Sequence, residues 1–130
     1  MANPNIAAAT SILGTTTYLT PSGTSAVVLI PNAASSNQVF KINQIVAANV
    51  TSSAVNVTVS IYTNGAQAQG PAPSSGTAFP IVSTVSVPAN SSLVVADKTT
   101  AIYLMEGQSI TVTSSTASKF TYTISYEEIS

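Results

Sequence analysis

Residues 54–63 read Ala-Val-Asn-Val-Thr-Val-Ser-Ile-Tyr-Thr. Val55, Val57, Val59 and Ile61 fall on one parity, and Asn56, Thr58 and Ser60 on the other. Successive strand side chains point to opposite faces, so this stretch predicts a half-buried strand with one β-branched face and one polar face. The C-terminal stretch repeats the pattern: Phe120, Tyr122, Ile124 and Tyr126 alternate with Thr121, Thr123 and Ser125.

Working outward, further strands follow. Ala26 to Ile30 is an apolar run halted by Pro31, which cannot donate to a ladder. Val39 to Val50 is long, with Phe40, Ile42, Val46, Ala48 and Val50 on one parity and Ile45 against it, the mark of a bulge or of two half-strands. Phe79 to Val87 places Ile81, Val85 and Val87 on one face, and Pro80 points to an edge or a strand start. Ser92 to Ala96, Thr100 to Met105 and Ser109 to Thr113 are shorter, with a tight turn at Glu106-Gly107. No apolar pattern at helical spacing persists anywhere. The expectation is an all-β, single-domain antiparallel β-sandwich, jelly-roll-like, of about eight strands.

Two segments stand apart. Residues 1–24 are small and polar, interrupted by Pro4, Gly14, Pro21 and Gly23, and read as an extended N-terminal arm or partial first strand, with Thr15 to Leu19 as its strand portion. The sandwich domain then covers 25–130. Within it, 64–78 (NGAQAQGPAPSSGTA) carries three glycines, two prolines and no large apolar residue. So long an irregular loop is either a functional segment or a mobile tip without a role.

Composition narrows the chemistry. The 130 residues include no His, Cys, Arg or Trp, and only seven charged side chains, three lysines and four carboxylates. Catalytic dyads built on His or Cys are excluded; a Ser–Lys pair through Lys41 or Lys98 is conceivable, but Lys41, on the polar parity of its strand, reads as a solvated surface lysine. Asp97 and Glu106 read as solvated turn residues, and Glu127-Glu128 as a frayed acidic tail. An enzyme is therefore not expected, nor a cofactor or a metal. Lys41, Lys98 and Lys119 are too scattered to neutralise a run of phosphates, which argues against nucleic acid. No stretch is long and apolar enough for a membrane helix, and the N-terminus lacks a signal-peptide pattern, so the chain is expected to work where it is made. The triplets at Asn49, Asn56 and Asn90 fit the glycosylation pattern but read as incidental in so Ser/Thr-rich a chain. A net charge of −1 leaves little repulsion between copies, so an assembled form, a homo-oligomer, is expected. Tyr62, on the polar parity of its strand, reads as exposed, and Tyr103, off the parity of Ile102 and Leu104, as outward-facing.

The phrases TSILGTTTYLTPSGTSAVVL, NQVFKINQIVAANV, PANSSLVVADKTTAIYLMEGQSITV and YTISYEEIS resemble small virion structural proteins of tailed bacteriophages, closest to those of phages that infect marine cyanobacteria. The resemblance implies a structural place in a virus particle, assembled in the host cytoplasm, and no catalysis. Within that class the leading expectation is a capsid decoration or cement protein docking on the major capsid or other virion proteins. A neck, tail or fibre-associated subunit is the near alternative, and a glycan-binding host-attachment module the distant one. The residues expected to carry such an interface are Asn3, Pro4, Ile6 and Ile12 in the arm, Tyr62, and Gly65, Gly70, Pro71 and Pro73 in the long loop.

Overall fold

The computed structural model describes residues 4–130. Nine strands follow in order: β1 (Ile12–Leu19), β2 (Val27–Asn32), β3 (Val39–Asn49), β4 (Val55–Tyr62), β5 (Ala78–Val87), β6 (Ser92–Ala96), β7 (Ile102–Leu104), β8 (Gln108–Ser114) and β9 (Phe120–Ile129). Two single 3-10 turns, Ile6–Ala8 and Lys98–Thr100, are the helical segments among the described residues. No helix there is long and apolar enough to cross a membrane.

The strands form two antiparallel sheets. One runs β1-β9-β3-β6, with β7 also on β3, and the other runs β2-β8-β4-β5. β6 pairs with Ile45 to Ala48 of β3 and β7 with Phe40 to Ile42, so the two short strands act as one interrupted edge. The ninth strand, beyond the eight or so expected, is β1, which the sequence pattern leaves in the N-terminal arm. The pairing is nested: first with last, β2 with β8, β3 with β6/β7, and β4 with β5. A double-stranded ribbon folded over itself in this way is a jelly roll.

Between the sheets lies the core. Val55, Val57 and Val59 are buried, as their alternation requires, and meet Phe40, Ile42, Ile45, Phe120, Tyr122, Ile124 and Leu104. Each such side chain contributes about 1.5–3 kcal/mol of transfer free energy. Aromatic rings pack in tilted pairs, Phe40 with Tyr126 at 5.0 Å and Phe120 with Tyr122 at 5.2 Å between centroids.

The mixed parity of β3 has a definite cause. Its register with β9 shifts between Ile42 and Gln44, and its register with β6 between Ile45 and Val46. An extra residue in one strand reverses which face the following side chains occupy. Phe40 and Ile42 point inward before the shift, and Ile45, Ala47 and Asn49 are buried after it, while Val50 is exposed. Val46, Ala48 and Val50 therefore do not belong to the inward set.

Three further expectations are corrected. Pro31 does not end its strand: β2 continues through it to Asn32, because β2 is an edge and Pro31 has a ladder partner on one side only, Ser109. Glu127 and Glu128 are not a frayed tail, since β9 lies between β1 and β3, pairing Glu127 with both Gly14 and Lys41. The first strand begins at Ile12 rather than Thr15 and is a full member of its sheet.

Candidate interaction surface

Two sheets have four edges, and a bare edge is a template for another chain. Three of the four are guarded. β5 carries Pro80 and two register shifts against β4, and β6 and β7 are short and interrupted by the turn at Lys98–Thr100. The third guarded edge, β2, is covered by the long loop.

That loop, residues 64–78, is a strap rather than a mobile tip. The Gly70 N–H donates to the Val28 carbonyl and the Val28 N–H donates to the Pro71 carbonyl, both at 2.9 Å, so the strap adds two rungs to the outside of β2. Gly70 has φ +108°, a conformation that favours glycine. Gln67 donates to the Ser74 carbonyl and hydroxyl, and Asn64 donates to the same carbonyl, pinning the two limbs of the strap together. Gly65 is buried against the end of the β2–β8 ladder, where a Cβ would collide with the backbone carbonyl of Asn32. Its part is internal packing. Pro71 is exposed and Pro73 half-buried on the strap's outer side.

Tyr62 is corrected by the same strap. The ring does occupy the polar face of β4, but residues 76–77 roof it and leave it only 8% exposed. Its hydroxyl accepts the Gly76 N–H at 3.0 Å. The sequence pattern placed Tyr62 on the right face but could not show that the following loop folds back over it.

The remaining edge is β1. Its eight residues, Ile-Leu-Gly-Thr-Thr-Thr-Tyr-Leu, include no charge, no proline and no register shift against β9. Ile12 and Leu13 are 63% and 58% exposed although neighbouring strand residues face opposite ways, so the edge is apolar on both sides. Tyr18, on the same face as Ile12, is 73% exposed. The direction of its free hydrogen bonds follows from the β1–β9 ladder. Ser11 and Ser130 exchange both backbone bonds at 3.0 Å, which marks a hydrogen-bonded pair. Such pairs alternate along an antiparallel ladder, so odd-numbered residues of β1 turn their N–H and C=O groups toward β9. Ile12, Gly14, Thr16 and Tyr18 turn theirs to the open side. The side-chain amide of Gln69, reaching from the strap to the Tyr18 carbonyl at 3.4 Å and the Thr17 hydroxyl at 3.1 Å, lies on that side.

Of the residues expected at an interface, Ile12 lies on this edge. Ile6 is exposed on the 3-10 turn that leads into it, and Pro4 is half-buried before that turn. Asn3 lies outside the described residues. Leu13 and Tyr18 were not anticipated. The available signal was an uncharged, threonine-rich run with apolar residues at both ends, which shows no single-face alternation because both faces are apolar.

A second feature lies on the outer face of the β1-containing sheet. A shallow open depression of about 520 Å³ is lined by Asn43, Gln44, Asp97, Lys98, Thr99 and Ser125. Asp97 caps the 3-10 turn, and the hydroxyl and amide of Thr99 donate to it, holding its carboxyl below the usual range. Tyr103, 44% exposed, lies beside Lys41 in register at one margin of this face. Burial pushes the phenols of Tyr122 and Tyr126 up to about 12, aided at Tyr126 by the charge of Glu128. Among the described residues, no three acidic side chains gather where a metal ion could be held.

At the triplet beginning at Asn49, the asparagine is 2% exposed and its amide is spent on the carbonyls of Ser53, Val87 and Pro88. No family model, no curated protein and no solved structure matches this chain.

Proposed function

We propose that this chain is a non-enzymatic structural subunit of a tailed-phage virion, in its most specific form a capsid decoration protein that docks edge-first on a repeating protein lattice. The observation that carries the reading is β1, an apolar edge left open on a domain whose other edges are guarded. Small β domains normally blunt their edges because an open one recruits further chains. An assembly subunit has a use for that recruitment. The near-neutral charge of the chain and its resemblance to phage structural proteins support the same reading, whereas the jelly roll alone adds little, since one fold hosts many functions.

The test is to purify particles of the virus that encodes the chain and count its copies by quantitative mass spectrometry. Copies in the hundreds fit the capsid surface, and about six or twelve fit a cyclic neck or tail ring. Its absence from washed particles would end the reading.

One observation favours glycan binding as a second reading. The outer face of the β1-containing sheet sets the amides of Asn43 and Gln44 and the hydroxyl of Ser125 in one depression, with exposed Tyr18 and Tyr103 at the margins. Sugar recognition combines such polar groups with aromatic faces. This reading expects binding on a glycan array that Gln44→Ala and Tyr103→Ala both weaken at least tenfold; no binding to host-surface polysaccharide would dismiss it.

A further inference from the structure

We infer that two copies of this chain pair through β1, antiparallel about a two-fold axis at Thr15, joining their sheets into one continuous sheet. The inference rests on the docking role proposed for β1 and makes its occupant a second copy, so that neighbouring copies on the lattice join through this edge.

The register follows from the hydrogen-bond directions. Only the backbone groups of Ile12, Gly14, Thr16 and Tyr18 face the open side, so a partner strand must set these residues against each other. A two-fold axis through Thr15 pairs Ile12 with Tyr18 of the second copy and Gly14 with Thr16, each pair exchanging both of its bonds. Every free donor and acceptor of the strand is then used. Moving the axis to Gly14 or Thr16 leaves one residue of each copy without a partner.

The side chains agree with this register. Opposed residues of an antiparallel pair project from the same face, so Ile12 meets Tyr18 twice across the outer face. Among the described residues these are the two most exposed large apolar side chains, at 63% and 73%. On the other face Leu13 meets Thr17. No charge on either strand opposes the pairing, because β1 contains none. Gln69 need not leave, since the Tyr18 carbonyl has a second lone pair for the incoming Ile12 N–H.

One strand pair is small against the roughly 1,600 Å² of a standard interface. The pairing is therefore weak alone and becomes firm when a lattice holds many copies close together.

The chain has no cysteine, so single-cysteine variants read the register directly. Thr15→Cys places two thiols across the axis, within the Cα separation a disulfide accepts. Under mild oxidant it is expected to give a covalent dimer, while Gly14→Cys and Thr16→Cys stay monomeric. Cross-linking at 14 or 16 in preference to 15 overturns the register. Sedimentation equilibrium of the unmodified chain is expected to show a concentration-dependent rise from 13.2 kDa toward twice that mass. A monomer up to the solubility limit, with no Thr15→Cys dimer, overturns the inference. Thr16→Pro removes an open-side donor that the monomer does not use, and is expected to abolish the mass rise while leaving the circular dichroism spectrum unchanged. If that variant does not fold, Thr16→Lys is the substitute, and persistence of the dimer in the folded variant overturns the proposal. A chain that is monomeric yet present in particles refutes this pairing alone; a dimer absent from particles refutes the virion role alone.

Discussion

Replacing Asn49 with alanine is expected to remove about 2–4 kcal/mol of stability, an unusual loss for so small a change. Asn49 ends β3 in one sheet, and its amide reaches the end of β5 in the other. The Nδ2 group donates to the carbonyls of Ser53 at 2.8 Å, Val87 at 2.9 Å and Pro88 at 3.1 Å, while Oδ1 accepts the N–H and hydroxyl of Thr51 at 2.9 and 2.8 Å. Ser53 and Pro88 are exposed, so water can replace part of what their carbonyls lose, whereas Val87 is buried. Val87 keeps its ladder partner Val55, so no carbonyl is stranded outright; each of the five bonds contributes about 0.5–1.5 kcal/mol, and water recovers some of it where the partners are exposed. For a domain of this size the sum lowers the melting temperature by about 10 °C. Urea denaturation measures it: the midpoint should fall with the slope unchanged. Asn49→Asp should be at least as damaging, because it turns a carboxylate oxygen toward three carbonyls. Exposed Asn56→Ala should change stability by no more than about 0.5 kcal/mol. A loss below about 0.5 kcal/mol for Asn49→Ala, or an aspartate variant more stable than the alanine one, would refute the clamp.

Gly65→Ala should destabilise by about 1–3 kcal/mol, since its Cβ would meet the backbone oxygens of Asn32 and Gln108; hydrogen exchange at the Val28 and Gly70 amides should quicken, and Gly14→Ala, with open space around it, should show no comparable strain. Alkaline pH should unfold the protein in a defined window. Tyr122 and Tyr126 have folded values raised from 10.0 to about 12, so their contribution is complete below pH 10 and is lost as pH rises toward 12, where the unfolded chain has already released the protons that the folded chain retains. Ultraviolet titration of phenolate formation alongside denaturation curves checks this, and Tyr122→Phe should shrink the loss.

The architecture was legible because alternation survives wherever one face is buried and the other wet. β4 and β9 announce themselves in this way, and β6 was read to the residue. β3 was harder: its parity reverses part-way, and the pattern revealed a shift without telling which half remained inside. β1 escaped full recognition because an open edge with apolar residues on both faces has no alternation to display. Tyr62 and the strap depend on contacts between residues far apart in the chain, including Gly70 with Val28, and local pattern carries no trace of them. Of the expected interface residues, Ile12 lies on the open edge, while Gly65 and Tyr62 serve the interior.

The nested pairing of the strands has a mechanical consequence. First and last strands lie side by side, and Ser11 and Ser130 close their ladder at the end where both termini emerge. Tension between the two ends of the polypeptide would therefore unzip that ladder rung by rung instead of shearing all its bonds together. The molecule should yield readily when stretched by its termini, and resist far better when gripped through the flank of its sheet.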